Sequence, residues 1–144
     1  MSGEVTIRTA TIADIAAVLA LWREAEAEES VTDDEAGIAG LIARDPDALL
    51  LAVHDQGRVI GSLVAGWDGW RGHLHRLAVA PDQRRRGVGT RLVRHGERRL
   101  VALGARRIAA IVVDGHEDAL GFWEAAGYER ADHSRFTRSL QPGR

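Results

Sequence analysis

The spacing of apolar residues along the first third of the chain predicts one strand and two helices. Residues 5–8 alternate apolar and polar side chains, as a half-buried strand does. Apolar residues recur at helical spacing over residues 12–22, and Thr11 is a suitable N-cap for that helix. A second short helix over residues 38–42 should end before Pro46, because the residue ahead of a proline disfavours helical geometry.

The middle of the chain predicts three strands. The apolar runs at 48–53 and 59–65 flank a short turn with Gly57, so they should form a hairpin. A glycine-rich loop at 67–72 follows, and the run at 73–80 predicts a fourth strand.

The last third predicts alternating helices and strands. A helix over 88–103 should be followed by a strand at 108–113, a helix at 119–126 and a pair of short strands over 128–136. The predicted element order is β-α-α-β-β-β-α-β-α-β-β, an α/β fold of the α+β type with a mixed sheet. We expect it to occupy residues 1–144 as a single domain, since the length and the apolar content of 45% suit one core.

Composition excludes several classes of protein. The absence of cysteine excludes disulfides, cysteine metal sites and a cysteine acyl-enzyme. No apolar run approaches the length of a membrane span, and the N-terminus has no basic and apolar signal pattern. We therefore expect a cytoplasmic protein that has no membrane partner.

Charge divides the chain into an acidic and a basic half. Residues 1–72 carry 5 arginines and 13 acidic residues, whereas residues 73–144 carry 14 arginines and 8 acidic residues. The acidic half suits an amine or a basic partner, and the basic half suits a polyphosphate ligand. Solvated faces would give the same asymmetry, so charge alone does not decide between these interpretations.

The segment that follows the predicted fourth strand has the pattern of an anion site. Residues 77–92 read L-A-V-A-P-D-Q-R-R-R-G-V-G-T-R-L, a strand, a glycine loop and the start of a helix. Glycines allow close approach of the backbone, and the free N–H groups of a helix N-terminus favour phosphate. The chain has no lysine for a P-loop, and Leu92 occupies the third glycine position of a dinucleotide fingerprint.

What remains, Arg84-x-x-Gly87-x-Gly89, resembles the acetyl-CoA pyrophosphate loop of the GNAT superfamily of N-acetyltransferases. A second segment, A-x-x-F-W-E-A-A-G-Y at 119–128, is similar to the late motif of the same family. Both motifs stand in the family's order, and the predicted element order is that of its fold. Within the superfamily the chain looks most like small bacterial stand-alone enzymes, partly through G-W-D-G-W-R-G at 66–72.

The resemblance implies acetyl-CoA as co-substrate, without a metal. It implies that the fourth strand is bulged and diverges from the fifth, that the Leu77 N–H is the oxyanion donor, and that the loop amides bind the pyrophosphate. The residues assigned to the co-substrate on this basis are Leu77, Ala78, Val79, Arg84, Arg85, Arg86, Gly87, Val88, Gly89, Thr90, His116, Phe122 and Trp123.

Histidine is the candidate general base. Many family members have a glutamate where this chain has His73, and His75 lies two residues on, on the same face of the strand. An imidazole can accept the proton of an amine near neutral pH, so both are candidate catalytic residues. A structural pair of half-exposed histidines is the alternative. Zinc binding is not expected, because no third ligand has suitable spacing.

The late motif departs from the family at the position of its general acid. Trp123 stands where many members have a tyrosine, and an indole N–H is not a useful proton source. His116 replaces a frequent asparagine and could protonate the thiolate, as could water. We expect Trp123 to pack against the co-substrate or the core.

The predicted reaction is acetyl transfer from acetyl-CoA to a primary amine of a small molecule or a protein, by direct attack in a ternary complex. Trp67, Asp68 and Trp70 are candidates for binding a cationic amine through π faces and a carboxylate. An inactive acyl-CoA-binding domain is the alternative function. A nucleic-acid-binding module is disfavoured by an isoelectric point of about 6.3 and 5% aromatic residues. The acceptor remains open, as does a homodimer.

Overall fold

The structure, a computed structural model, describes residues 3–25, 27, 30–112 and 117–140. Its helices and strands follow in the order β1 (Val5–Thr9), α1 (Ile15–Glu24), α2 (Glu35–Arg44), β2 (Leu49–His54), β3 (Val59–Trp67), β4 (Gly72–Val79), α3 (Val88–Leu103), β5 (Ile108–Ala110) and α4 (Glu117–Ala125). A single turn of 3-10 helix precedes α1. In the part of the chain that is described, no helix combines the length and apolar character needed to span a membrane.

The strands form one five-stranded mixed sheet in the order β1-β2-β3-β4-β5. The first four are antiparallel neighbours, whereas β4 and β5 are parallel, with α3 as the crossover between them. The predicted α/β class with a mixed sheet is therefore confirmed, as is the β2–β3 hairpin.

Helices cover both faces of the sheet. On one face, the fully buried side chains of Leu63 and Leu74 face α3, whose Leu92 and Leu100 are also fully buried. On the other face, α1 contributes a buried tryptophan, Trp22, which contacts β3. Because both faces are covered, β3 carries an almost continuous apolar run instead of a simple alternation.

The last two predicted strands are wrong. Residues 128–140, all of them described, contain no strand, and most of these residues are exposed. Tyr128 instead ends the α4 region: its N–H donates to the carbonyl of Trp123 at 3.0 Å, and its hydroxyl donates to Glu97 of α3 at 2.7 Å. Tyr128, which was predicted to lie on a strand, thus links α4 to α3 through hydrogen bonds.

Other boundaries differ by a few residues. The loop predicted over 67–72 is shorter, because Trp67 and Gly72 pair as the last rung of the β3–β4 hairpin. The fifth strand ends at Ala110 instead of residue 113, which lies outside the described residues.

The start of α1 gives a stability prediction. Asp14 pairs with Arg8 and accepts the Thr11 N–H at 2.8 Å, and these contacts, the Arg8 hydrogen bond first, lower its pKa from 3.8 to about 2. A lowered folded-state pKa contributes stability above pH 4 that is lost as the pH falls toward 2. We expect Asp14→Ala to reduce the free energy of unfolding by about 1 kcal/mol at pH 7. Urea denaturation measures the difference in free energy of unfolding between the variant and the parent protein. This difference should shrink between pH 4 and pH 2, and a constant difference would contradict the role given to Asp14.

Candidate active site

The centre of β4 carries a bulge and then separates from β5. Opposite β3, the pairing steps from Val64↔His75 to Ser62↔Ala78, so β4 has one extra residue between these rungs. Arg76, inside the bulge, has a positive φ of 55°. Pairing with β5 covers only residues 72–74, and beyond Leu74 no described residue of β5 is registered with β4. The backbone from the bulge to Val79 therefore borders a gap in the sheet.

The loop between β4 and α3 ends in a cluster of backbone donors. Arg85 and Gly87 both have left-handed conformations, with φ of 64° and 79°, and Gly87 is the N-cap of α3. No side chain caps this end, and the first N–H of the intrahelical ladder is that of Arg91, which donates to the Gly87 carbonyl. The N–H groups of Val88, Gly89 and Thr90 precede it, so the helix itself does not use them.

Arginines surround this loop without capping it. The Nε of Arg84 donates to the Val79 carbonyl at 3.2 Å and so ties the loop to the end of β4. Arg85 and Arg86 are exposed. Uncapped N–H groups, the helix dipole and three consecutive arginines together favour the binding of an anion at this loop.

Helix α4 supports the same loop. A Cβ at Gly89 would lie 3.3 Å from the Phe122 ring and 3.8 Å from Val79, so the glycine allows α4 to approach α3 closely. Trp123 is buried and makes edge-to-face contacts with Phe122 and Tyr128, at ring centroid distances of 5.4 and 5.1 Å. Trp123 thus belongs to the hydrophobic core, as expected for a packing residue. His116 lies outside the described residues.

The two histidines of β4 lie on the face of the sheet that α1 covers. Their rings are 6.1 Å apart, and Nε2 of His73 is 3.1 Å from a carboxylate oxygen of Asp68. His75 is half-buried, and burial first, followed by the nearby guanidinium groups of Arg135 and Arg76, lowers its pKa below the usual 6.5. His75 therefore remains a neutral imidazole at pH 7, which is the form that can accept a proton.

Asp68 forms the turn between β3 and β4. Its carboxylate accepts the N–H groups of Trp70 and Arg71 at 2.8 and 2.7 Å as well as the contact with His73. These hydrogen bonds, the Arg71 N–H first, lower its pKa to about 2. A carboxylate of such low pKa is a poor base at pH 7, but it is well placed to hold the His73 ring in one orientation.

The two loop tryptophans have different environments. Trp67 is partly buried against the core, whereas Trp70 is exposed and has the Arg71 guanidinium 4.0 Å from its ring centre. Both line an open hollow of about 490 Å³ that also contains Arg106 and Arg107. Trp67 and Trp70 therefore lie beside arginines in the structure. The carboxylate of Asp68 already accepts hydrogen bonds from the backbone of its own turn. Their role in amine binding stays a prediction.

Sequence reasoning missed one buried polar contact beside the bulge. Ser62, a lone hydroxyl in the apolar β3 run, is fully buried; it accepts the indole N–H of Trp22 and donates to the Arg76 carbonyl, both at 2.9 Å. A single polar residue within a buried strand was the only signal, and it does not reveal the partners.

The bulge of β4, its separation from β5 and the uncapped N-terminus of α3 together form a site that suits an elongated ligand carrying phosphate. Residues 15–128 match the model of the Acetyltransferase (GNAT) family, and the chain belongs to this family. A protein named as an acetyltransferase from Pectobacterium atrosepticum is 34% identical over 83% of this chain and 84% of its own length. One from Yersinia enterocolitica is 31% identical over 88% of this chain and 89% of its own.

Solved structures share the fold at low sequence identity. The PaiA N-acetyltransferase of Thermoplasma acidophilum, in complex with coenzyme A, has a TM-score of 0.81 and 17% identity over 91% of this chain and 93% of its own. An aminoglycoside N-acetyltransferase with bound CoA has a TM-score of 0.74 and 21% identity over 96% and 97% of the two chains.

Proposed function

We propose that residues 1–144 act as one N-acetyltransferase domain that transfers an acetyl group from acetyl-CoA to a primary amine. The observation that carries the proposal is the separation of β4 from β5 beyond Leu74, next to the uncapped N-terminus of α3. The backbone amides that border the gap suit the extended, amide-bearing arm of coenzyme A. The N–H groups of the loop before α3 suit its pyrophosphate. Acetyl-CoA supplies an activated thioester when bound.

The residues present fit acetyl-CoA. Leu77, Ala78 and Val79 offer backbone groups along the gap, and the amides of residues 85–90 offer donors for the pyrophosphate. The N–H of Leu77 lies within the bulge, where it would donate to the acetyl oxygen as negative charge develops there.

A neutral histidine of β4 would take the proton from the amine, directly or through water. An alkyl amine of pKa about 10.4 is only about one part in a thousand neutral at pH 7, so a base contributes substantially. The acceptor nitrogen then attacks the thioester in a ternary complex without a covalent enzyme intermediate. The leaving group would depart as a thiolate, because the corresponding thiol has a pKa of only about 8.5, and water would then protonate it.

We expect His73→Ala to lower kcat/KM for the amine about 100-fold at pH 7 and to remove the limb in which the rate rises with pH. His75→Ala is the matched variant on the same face. A limb centred below pH 6.5 that disappears in His75→Ala would assign the base to His75, whose pKa is lowered. Asp68→Asn should give a smaller loss, because it removes only the partner that orients His73. Intact pH profiles in both alanine variants would contradict a histidine base.

An amine panel, followed by release of free thiol from acetyl-CoA, tests the function itself. One fold neighbour is named an aminoglycoside N-acetyltransferase, so aminoglycosides, polyamines and peptides with free N-termini form a sensible first panel. Saturable binding of acetyl-CoA with no turnover on any amine would favour the acyl-CoA-binding alternative, for which Trp123 in the tyrosine position is the supporting observation.

A further inference from the structure

We propose that Ser62 and Trp22 are positioning residues that orient the peptide group between Arg76 and Leu77, and thereby aim the oxyanion donor. The inference rests on the proposed function, because it concerns the Leu77 N–H of that mechanism. Ser62 is the only fully buried polar side chain in the described part of the chain, and this inference gives it a role.

The contacts form a relay that begins on α1 and ends on the bulge of β4. The indole N–H of Trp22 donates to Oγ of Ser62 at 2.9 Å, and that hydroxyl donates to the Arg76 carbonyl at 2.9 Å. Trp22 is 7% exposed and Ser62 is 0% exposed, so water does not compete for these groups. Consecutive hydrogen bonds polarise one another, which strengthens the last one.

The relay reaches the oxyanion donor through a single peptide plane. The carbonyl of Arg76 and the N–H of Leu77 belong to the same peptide group, and none of the described peptides is cis. In a trans peptide these two groups point in opposite directions. A hydroxyl that fixes the carbonyl toward α1 therefore fixes the Leu77 N–H away from it, and a hydrogen bond to the carbonyl also makes that N–H a stronger donor.

The bulge is the part of β4 where the peptide orientation most needs an additional hydrogen bond. Arg76 has a φ of 55°, a conformation that non-glycine residues adopt only when their surroundings hold them there. The extra residue of β4 also interrupts the regular ladder with β3 between the rungs at Ser62 and Val64. At this interruption the Ser62 hydroxyl donates to the Arg76 carbonyl, a contact that helps to fix the orientation of the peptide group.

The Arg76 side chain is held on the same side. Its guanidinium donates to Asp33 at 2.6 Å and lies 5.3 Å from the centre of the Trp22 ring. Asp33 in turn accepts the N–H of Ser30 at 2.9 Å. The Arg76 carbonyl is therefore held by Ser62 of β3, and its side chain by Asp33, between α1 and α2, and by the Trp22 ring of α1, so the following N–H points away from these partners.

A purely structural role would also explain the contacts, since a buried indole N–H needs an acceptor. The two roles separate in the double variant Ser62→Ala/Trp22→Phe. Ser62→Ala alone removes the acceptor of the buried Trp22 N–H and the hydroxyl that donates to the Arg76 carbonyl, which lowers Tm. The double variant removes the indole donor as well, so much of the lost Tm should return. The double variant still lacks the hydroxyl that donates to the Arg76 carbonyl, so the catalytic defect should persist.

The measurements are kcat, Tm, CoA affinity by calorimetry, and the infrared band of the ¹³C-labelled acetyl carbonyl of bound acetyl-CoA. We expect Ser62→Ala and the double variant to lower kcat about tenfold, less than removal of an oxyanion donor would. The carbonyl band should move to higher wavenumber in both, and CoA affinity should stay within about twofold, because CoA lacks the acetyl oxygen. Leu63→Val, which trims the opposite face of β3, serves as control: it should lower Tm and leave the band and kcat unchanged.

The outcomes that would contradict the inference differ from those that would contradict the proposed function. A double variant with parental kcat and band position would overturn it, as would Leu63→Val reproducing both effects through lost stability. If the parent protein shows neither turnover nor a shifted carbonyl band, the proposed function itself fails. If the parent shows both and the Ser62 variants do too, only the relay is wrong.

Discussion

Gly87→Asp should abolish measurable binding of acetyl-CoA in calorimetric titration while the protein stays folded. The new carboxylate would stand at the N-cap of α3, among the N–H groups assigned to the pyrophosphate. At a separation of about 6 Å and an effective dielectric constant of about 20, two like unit charges repel by about 3 kcal/mol, or roughly 100-fold in affinity. A carboxylate there would also accept the free N–H groups itself and so compete with the ligand.

Gly87→Asn is the matched control for charge. The position has a φ of 79° and no atom within 4 Å of an added Cβ, so both side chains meet the same backbone strain and open space. Asparagine and aspartate tolerate the left-handed region similarly. We therefore expect Gly87→Asn to retain much more affinity than Gly87→Asp, with similar Tm. Equal and unchanged affinities in both variants would refute the pyrophosphate assignment.

Gly89→Asp should also abolish binding, but its interpretation needs a different control. An added Cβ would lie 3.3 Å from Phe122, so part of any loss arises from crowding between α3 and α4. Gly89→Ala carries the same Cβ without the charge and measures that part. The difference between the two variants reports what the carboxylate adds beyond the Cβ.

The sheet was predictable because its signals are local. The alternation in β1, the apolar runs of β2 and β3 around a short turn, and the glycines that follow the helices all act within a few residues. The absence of strands over residues 128–136 was not predictable, because the pairing of this segment with a sheet depends on contacts with residues that are distant in sequence. Tyr128 is an example: its aromatic ring fits the pattern of a strand, but its hydroxyl donates a hydrogen bond to Glu97 of α3.

The site divides in the same way. Gly87 and Gly89 could be predicted as loop residues from sequence, because an anion loop needs contiguous residues with special backbone freedom, and Gly87 does have a left-handed φ of 79°; their contact with a ligand stays a prediction. Ser62 could not, since its importance lies in a carbonyl of the next strand and an indole on α1. Asp68 was predicted as a ligand for an amine, yet its carboxylate is bound to the turn and His73. Side-chain geometry across strands decides such roles, and a single sequence does not contain it.

Trp123→Ala should produce the largest loss of stability, about 3 to 5 kcal/mol in the free energy of unfolding. Trp123 is 7% exposed, and its ring contacts both Phe122 and Tyr128, so truncation leaves a cavity between two aromatic rings. The same change would loosen α4 against α3 and, through Phe122, disturb the loop at Gly89. Chemical denaturation measures the loss, and weaker acetyl-CoA binding should accompany it.

Trp123→Phe distinguishes this packing role from proton donation. Phenylalanine keeps an apolar ring in the cluster and lacks the indole N–H, so kcat at saturating acetyl-CoA should remain close to that of the parent if Trp123 only packs. Trp123→Tyr supplies the phenol found at this motif position in many relatives of the family; it should raise kcat only if departure of the thiolate limits the rate. A 100-fold fall in kcat for Trp123→Phe at unchanged Tm would show that the indole N–H stabilises the transition state. In that case the tryptophan would have replaced the tyrosine in function as well as in position.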